Sequence, residues 1–117
     1  MTEVDTYIVR VTLQDEPPIY REIEVESRKT LSDLAEAIVH AFGFEFDHAF
    51  GFYSKLTGRD VMRSQPKYGL FADMGEDTNA KSVRKTRLAD AFPNVGYTML
   101  FMFDYGDDWR FHCPSIG

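Results

Sequence analysis

Three carboxylates lie close together near the end of the chain, and their types and spacing could do chemistry. Asp104, Asp107 and Asp108 flank a glycine directly after an apolar run. Together with His48 or His112 they would offer the oxygen and imidazole ligands that Mg²⁺ or Mn²⁺ accepts. A site of this kind would serve a divalent-metal-dependent hydrolase.

The same stretch has a structural interpretation, which we favour over the metal site. Asp and Gly are the residues that a tight turn between two strands requires, because Gly tolerates positive φ and Asp caps local N–H groups. On this interpretation Asp107 or Asp108 bonds the turn backbone, and the protein holds neither a metal nor another cofactor.

Aromatic residues adjoin the acidic turn and favour a binding function. We expect Trp109, Tyr105, His48 and Asp108 to line a groove near the turn and the end of the main helix. No convincing catalytic set accompanies them. The pattern therefore predicts a non-enzymatic binding or accessory module, and a protein is the partner expected first.

A basic segment suggests nucleic acid as an alternative partner. Lys81, Arg84, Lys85 and Arg87 place four basic residues within seven positions and could contact phosphates. The simpler interpretation is a solvated loop and helix face. The chain carries a net charge of −6, which repels nucleic acid at long range. A nucleic-acid-associated regulator is therefore the second hypothesis.

Length and composition indicate one compact unit. A chain of 117 residues, 44% of them hydrophobic, is expected to form a single domain over residues 1–117. Cys113 is the one cysteine, so no internal disulfide can form. The sequence shows neither a signal-peptide pattern nor an apolar run long enough to span a bilayer. A cytoplasmic protein without a membrane partner is expected.

Hydrophobic alternation predicts the strands. Thr6–Leu13 and Ile19–Glu26 alternate apolar and polar residues around a short proline-containing link, which indicates an antiparallel hairpin. Phe50–Ser54 is predicted as a short strand. Tyr97–Phe103 is almost wholly apolar, as in a strand buried on both faces. A final strand is predicted from Trp109 to about Cys113.

One helix has a clear local signature. Thr30 is a good N-cap, and Asp33 completes a weak capping box. Gly43 is a natural stop. The apolar stripe between them consists of Leu31, Leu34, Ala35, Ile38, Val39 and Phe42.

The rest of the chain is expected to be less regular. A long insert over residues 56–83 is predicted, with one short strand near residues 68–72 and mobility around residues 74–82. A short helix is predicted at Thr86–Phe92. The element order indicates an α+β, β-grasp-like fold in which the helix covers one face of a mixed sheet. In it, the late strand from Tyr97 would lie beside the first strand, in the middle of the sheet.

Four short motifs follow one another along the chain. They are Pro17-Pro18-Ile19-Tyr20-Arg21-Glu22-Ile23, Thr30-Leu31-Ser32-Asp33-Leu34, Ala41-Phe42-Gly43-Phe44 followed by His48, and Phe103-Asp104-Tyr105-Gly106-Asp107-Asp108-Trp109. In this order they resemble those of the plasmid-borne pRiA ORF-three-like proteins, which occur on plasmids and near mobile elements. The resemblance spans residues 7 to 112. It implies a mobile-element context and no settled activity.

The departures from the family pattern are mostly aromatic exchanges. Tyr20 and Phe44 stand where tryptophan is usual, and Tyr105 stands where phenylalanine is usual. Phe50 occupies about the place of a second histidine, which weakens the expectation of a histidine-based site. Family members often continue past the tryptophan strand, so the resemblance implies a short member or a fragment.

Overall fold

The computed structural model describes residues 6–16, 19–58, 61, 67–69, 80–104 and 108–116. Within this part, seven strands form one sheet, accompanied by one main helix and one short helix. The strands are β1 Thr6–Leu13, β2 Tyr20–Glu26, β3 Phe50–Tyr53, β4 Lys67–Gly69, β5 Lys81–Ser82, β6 Thr98–Phe103 and β7 Trp109–Pro114, and the helices are α1 Leu31–Ala41 and α2 Leu88–Ala91.

The sheet is mixed, and its strand order is β2-β1-β7-β6-β3-β4-β5. All neighbouring pairs are antiparallel except β4 and β5, which are parallel. This confirms the α+β class and the predicted first hairpin. It leaves the β-grasp-like part of the prediction unconfirmed.

The predicted position of the late strand is half right. β6 is central in the sheet, as expected, but its neighbours are β7 and β3. The prediction that it lies beside β1 is wrong, because β7 pairs with β6 in antiparallel orientation and lies between β6 and β1. The free edge of β7 then pairs with β1 at Thr12↔His112 and Leu13↔Phe111.

β6 is buried on both faces, which confirms the interpretation of its apolar run. Met99, Phe101 and Phe103 face the core that contains α1. Leu100 and Met102 face a second, smaller cluster on the opposite side of the sheet. That cluster includes side chains from β3 and from the segment after it, namely Tyr53, Leu56 and Val61.

The helix prediction is confirmed at both ends. The Asp33 N–H donates to Thr30 Oγ1 (3.2 Å), and Asp33 Oδ2 accepts from the Thr30 N–H (3.0 Å), which completes a capping box. Gly43 follows α1 with φ +81°, a conformation that L-residues with a Cβ rarely adopt.

The insert contains more sheet than was predicted. β4 agrees with the short strand expected near residues 68–72, although residues 70–72 lie outside the described part. β5 was not predicted and occupies residues 81–82 of the segment expected to be mobile, whereas residues 74–79 lie outside the described part. α2 falls within the predicted short helix. Among the described residues, no helix combines the length and the apolar composition that crossing a membrane requires.

Candidate functional site

The end of α1 directs the following loop onto the sheet. The Gly43 N–H donates to His40 O (3.0 Å), and the Phe44 N–H donates to Val39 O (2.9 Å). These two bonds form a Schellman motif, which requires the left-handed conformation of Gly43. The motif reverses the chain, and Phe44 then packs against the core.

The turn between β6 and β7 is fixed to that loop by the backbone. The Asp104 N–H donates to Ala49 O (2.9 Å), and the Asp108 N–H donates to Asp104 O (2.7 Å). Asp104 and Asp108 both adopt positive φ, at 60° and 56°. Asp tolerates this conformation better than most residues with a Cβ, which explains why carboxylates occupy both positions.

Aromatic rings connect the loop and the turn. The Phe44 ring centroid lies 5.0 Å from that of Trp109 and 5.8 Å from that of Phe103. The His48 ring meets the Phe103 ring edge-on at 5.7 Å. Phe103 and Trp109 also face each other across the β6–β7 ladder, so the sheet register itself brings them together.

These residues line a surface groove of about 400 Å³, which we call the aromatic-acidic groove. A volume of this size is typical of ligand sites. The lining consists of Gly43, Phe44, Glu45, Asp47, His48, Phe103, Asp104 and Trp109.

The described lining of the groove is rich in acidic side chains. Glu45, Asp47 and Asp104 contribute carboxylates, and the described lining includes neither lysine nor arginine. His48 Nε2 lies 3.3 Å from Asp47 Oδ1 and 3.7 Å from Asp104 Oδ2. The imidazole thus stands between two carboxylates.

The structure brings some of the predicted groove residues together. Trp109 and His48 both line the groove. Tyr105 lies outside the described residues. Asp108 Oδ1 accepts a hydrogen bond from Arg110 Nε at 2.8 Å, and Asp108 is not among the lining residues.

Sequence reasoning missed the acidic wall of the groove, which Glu45, Asp47 and Asp104 form together. Asp104 was considered only as a turn residue or metal ligand. A signal for the other two was present, since they alternate with Phe44 and Phe46 directly after the predicted helix stop at Gly43. Alternation there indicates a loop with one aromatic side and one acidic side.

The metal-site hypothesis stays a prediction. Of its proposed ligands, the structure brings His48 and Asp104 near each other, whereas Asp108 pairs with Arg110 and Asp107 lies outside the described residues. Among the residues that are described, no three His, Cys, Asp or Glu side chains are grouped so that they could hold a metal ion.

The alternative imidazole, His112, lies elsewhere on β7. Its Nε2 is 3.0 Å from Leu56 O and 3.1 Å from Gln14 Nε2. The neighbouring Cys113 is fully buried on the helix side of the sheet, and burial raises the pKa of its thiol well above the usual range. His112 and Cys113 therefore face opposite sides of the sheet and do not form a nucleophilic pair.

The four predicted phosphate-contacting residues are exposed but belong to three local structures. Lys81 lies on β5, Arg84 and Lys85 lie in the following turn, and Arg87 precedes α2 as its N-cap residue. All are remote in sequence from the aromatic-acidic groove.

Fold and groove together define an α+β protein whose mixed sheet is covered by one main helix, with an aromatic and acidic groove where that helix ends. The chain belongs to the plasmid pRiA4b ORF-3-like protein family, whose model matches residues 5–114. This confirms the resemblance indicated by the four motifs.

A solved structure is similar over almost the whole chain. It is a protein of unknown function from Methanosarcina mazei Go1, with a TM-score of 0.76 and 25% sequence identity. The match covers 99% of this chain and 61% of that one, so this chain spans less than two thirds of that protein's length. The comparison with curated proteins finds no match.

Proposed function

We propose that the protein is a non-enzymatic binding module whose aromatic-acidic groove accepts a cationic side chain presented by a partner protein. The observation that carries the proposal is the placement of Asp47 and Asp104 beside the aromatic rings of Phe44 and Trp109. The family description, which refers to a plasmid, supports an accessory role in a mobile-element context.

Charge and ring geometry together favour a cation. The described lining contains three carboxylates and one imidazole, so its charge is negative at neutral pH. Trp109 is 37% exposed. An ammonium or guanidinium group over the face of such a ring gains about 0.5–2 kcal/mol, in addition to its attraction to the carboxylates.

The shape of the groove favours a macromolecular partner over a small substrate. Gly43, Glu45, Asp47 and His48 are exposed, so solvent bounds the groove on one side. A side chain carried by a larger protein would be covered by the surrounding interface.

The single tryptophan makes the proposal directly testable. Because Trp109 lines the groove, its fluorescence should change on titration with a short glycine peptide containing one arginine. The matched peptide contains citrulline, which keeps the shape of arginine but is neutral. We expect saturable binding of the arginine peptide and at least about tenfold weaker binding of the citrulline peptide, equivalent to about 1.4 kcal/mol.

Two variants that each remove one negative charge separate the effect of the groove from the effect of the protein's overall charge. Asp104→Asn removes a groove carboxylate, and Glu24→Gln removes an exposed carboxylate on β2. The proposal requires that only Asp104→Asn weakens arginine-peptide binding. Equal affinity for the arginine and citrulline peptides, or equal losses in both variants, would overturn it.

A further inference from the structure

A second charged surface lies at the other end of α1 from the groove. The turn before α1 (residues 27–30) and the segment leading into α2 (residues 83–89) are joined by backbone hydrogen bonds. The bonds run from Leu31 N to Thr86 O (3.0 Å), Ser32 N to Val83 O (3.0 Å), Leu88 N to Lys29 O (2.8 Å) and Ala89 N to Ser27 O (3.2 Å).

This junction brings cations from two distant parts of the sequence onto one surface. Thr30 and Arg87 pair as an isolated β-bridge, which places the two segments side by side. We call the result the composite basic surface, and all of its members are exposed. They are Arg28, Lys29, Arg84, Lys85 and Arg87.

Two acidic groups close in sequence are already engaged, whereas a third, Asp90, is exposed in α2. Asp33 Oδ2 accepts from the N–H and the hydroxyl of Thr30, at 3.0 and 3.2 Å. Glu26 Oε2 accepts from Arg28 Nε at 2.6 Å. No carboxylate of the described residues lies within ion-pair distance of three of the cations, namely Lys29, Lys85 and Arg87.

Such a concentration of cations is unexpected in this chain. Acidic residues outnumber basic ones by 19 to 13, so partners for the cations are plentiful. Like charges on one surface repel each other. A polyanion would relieve this repulsion.

We propose that the composite basic surface binds the phosphate backbone of double-stranded DNA. Long, exposed Lys and Arg side chains suit a repeated row of phosphates. Residues 27–30 and 83–89 contain no aromatic residue, so these segments offer no stacking platform for unpaired bases. The N–H groups of Leu31 and Ser32 are bonded to carbonyls, which removes the cradle that a small anion would need.

Fluorescence anisotropy with a short labelled DNA duplex tests this surface. Binding should weaken steeply as salt rises, with a log–log slope of magnitude up to about 4.5 if all five cations contact phosphates. The triple variant Lys29→Gln/Lys85→Gln/Arg87→Gln should lower that slope by about 2.7 and weaken binding at low salt by at least about tenfold. Its melting temperature should match the wild type, because these side chains are exposed.

A control variant with the same net charge as the first triple variant keeps the composite basic surface intact. Arg10→Gln/Arg21→Gln/Lys55→Gln removes three exposed cations outside the two joined segments. We expect this variant to retain the salt slope. The proposal is overturned if the wild type shows no duplex binding at low salt, if both triple variants lose affinity equally, or if a single strand or phosphatidylserine vesicles bind and the duplex does not.

Discussion

The Phe44 and Trp109 ring centroids lie 5.0 Å apart, with their planes inclined by 51°. Phe44 is placed by the chain reversal at the end of α1, and Trp109 begins the last strand of the sheet. The contact therefore joins the two elements that form the groove. Any change that alters the chain reversal should be visible in the environment of Trp109.

Gly43→Ala tests this connection. A Cβ at Gly43 would meet no atom within 4 Å, so the substitution should act through the φ of +81° alone. We expect a loss of about 1 kcal/mol in the free energy of unfolding, together with a shift in the emission of Trp109. Urea unfolding and native-state fluorescence measure the two effects.

Gly96→Ala is the matched control. Gly96 also has positive φ (+93°) and open space where a methyl group would lie, but it precedes β6 and is not among the residues that line the groove. It should lose similar stability while leaving the emission of Trp109 unchanged. An emission shift of the same size in both variants would contradict a specific link between Gly43 and the groove.

The left-handed conformation of Asp108 predicts an unusual order of stability among variants substituted at this position. Asp108→Ala and Asp108→Gly both lose the pair with Arg110, but only the Ala variant carries the steric penalty of φ +56°. The Gly variant should therefore be the more stable by about 1 kcal/mol. At Asp90, exposed in α2, the same pair of substitutions should show the reverse order. Thermal unfolding of the four variants measures the order of stability at both positions.

The buried thiol predicts how stability depends on pH. Because burial raises the pKa of Cys113, the folded state keeps a proton that the unfolded state releases above about pH 8.5. This contribution is fully present below that pH and is lost as the pH rises, by about 1.4 kcal/mol per pH unit. The pKa of Tyr68, also raised by burial, adds to the loss above about pH 10.

Cys113→Ala isolates the thiol contribution. The variant should be less stable than the wild type at pH 7, because it removes buried volume. The difference between the two should shrink as the pH rises from about 8 to about 10. A difference in unfolding free energy that stays constant across urea titrations in this range would contradict the assigned protonation of the folded state.

Local signals explain what the sequence could predict. The capping box at Thr30 and Asp33 and the stop at Gly43 lie within or beside the helix that they delimit. The apolar run of β6 needs only its own composition to indicate burial on both faces. These features are set by neighbours along the chain, and they were predicted with nearly correct bounds.

Non-local pairing accounts for the features that the sequence could not predict. The pattern of β7 fits either pairing with β1 or exposure to solvent along its second edge. The insertion of β7 between β1 and β6 was therefore missed. Likewise, Asp47 and Asp104 are distant in sequence, and their proximity depends on the bond from Asp104 N to Ala49 O. No periodicity in either segment encodes that contact.

NMR mapping tests most directly whether the aromatic-acidic groove receives a cationic side chain. The ¹⁵N-labelled protein is titrated with the arginine peptide, with the citrulline peptide as the control. Binding in the groove predicts that shifts concentrate at the Trp109 indole N–H and the amides of His48 and Asp104, with arginine only. Shifts confined to the acidic strand β2, or equal shifts with both peptides, would contradict it.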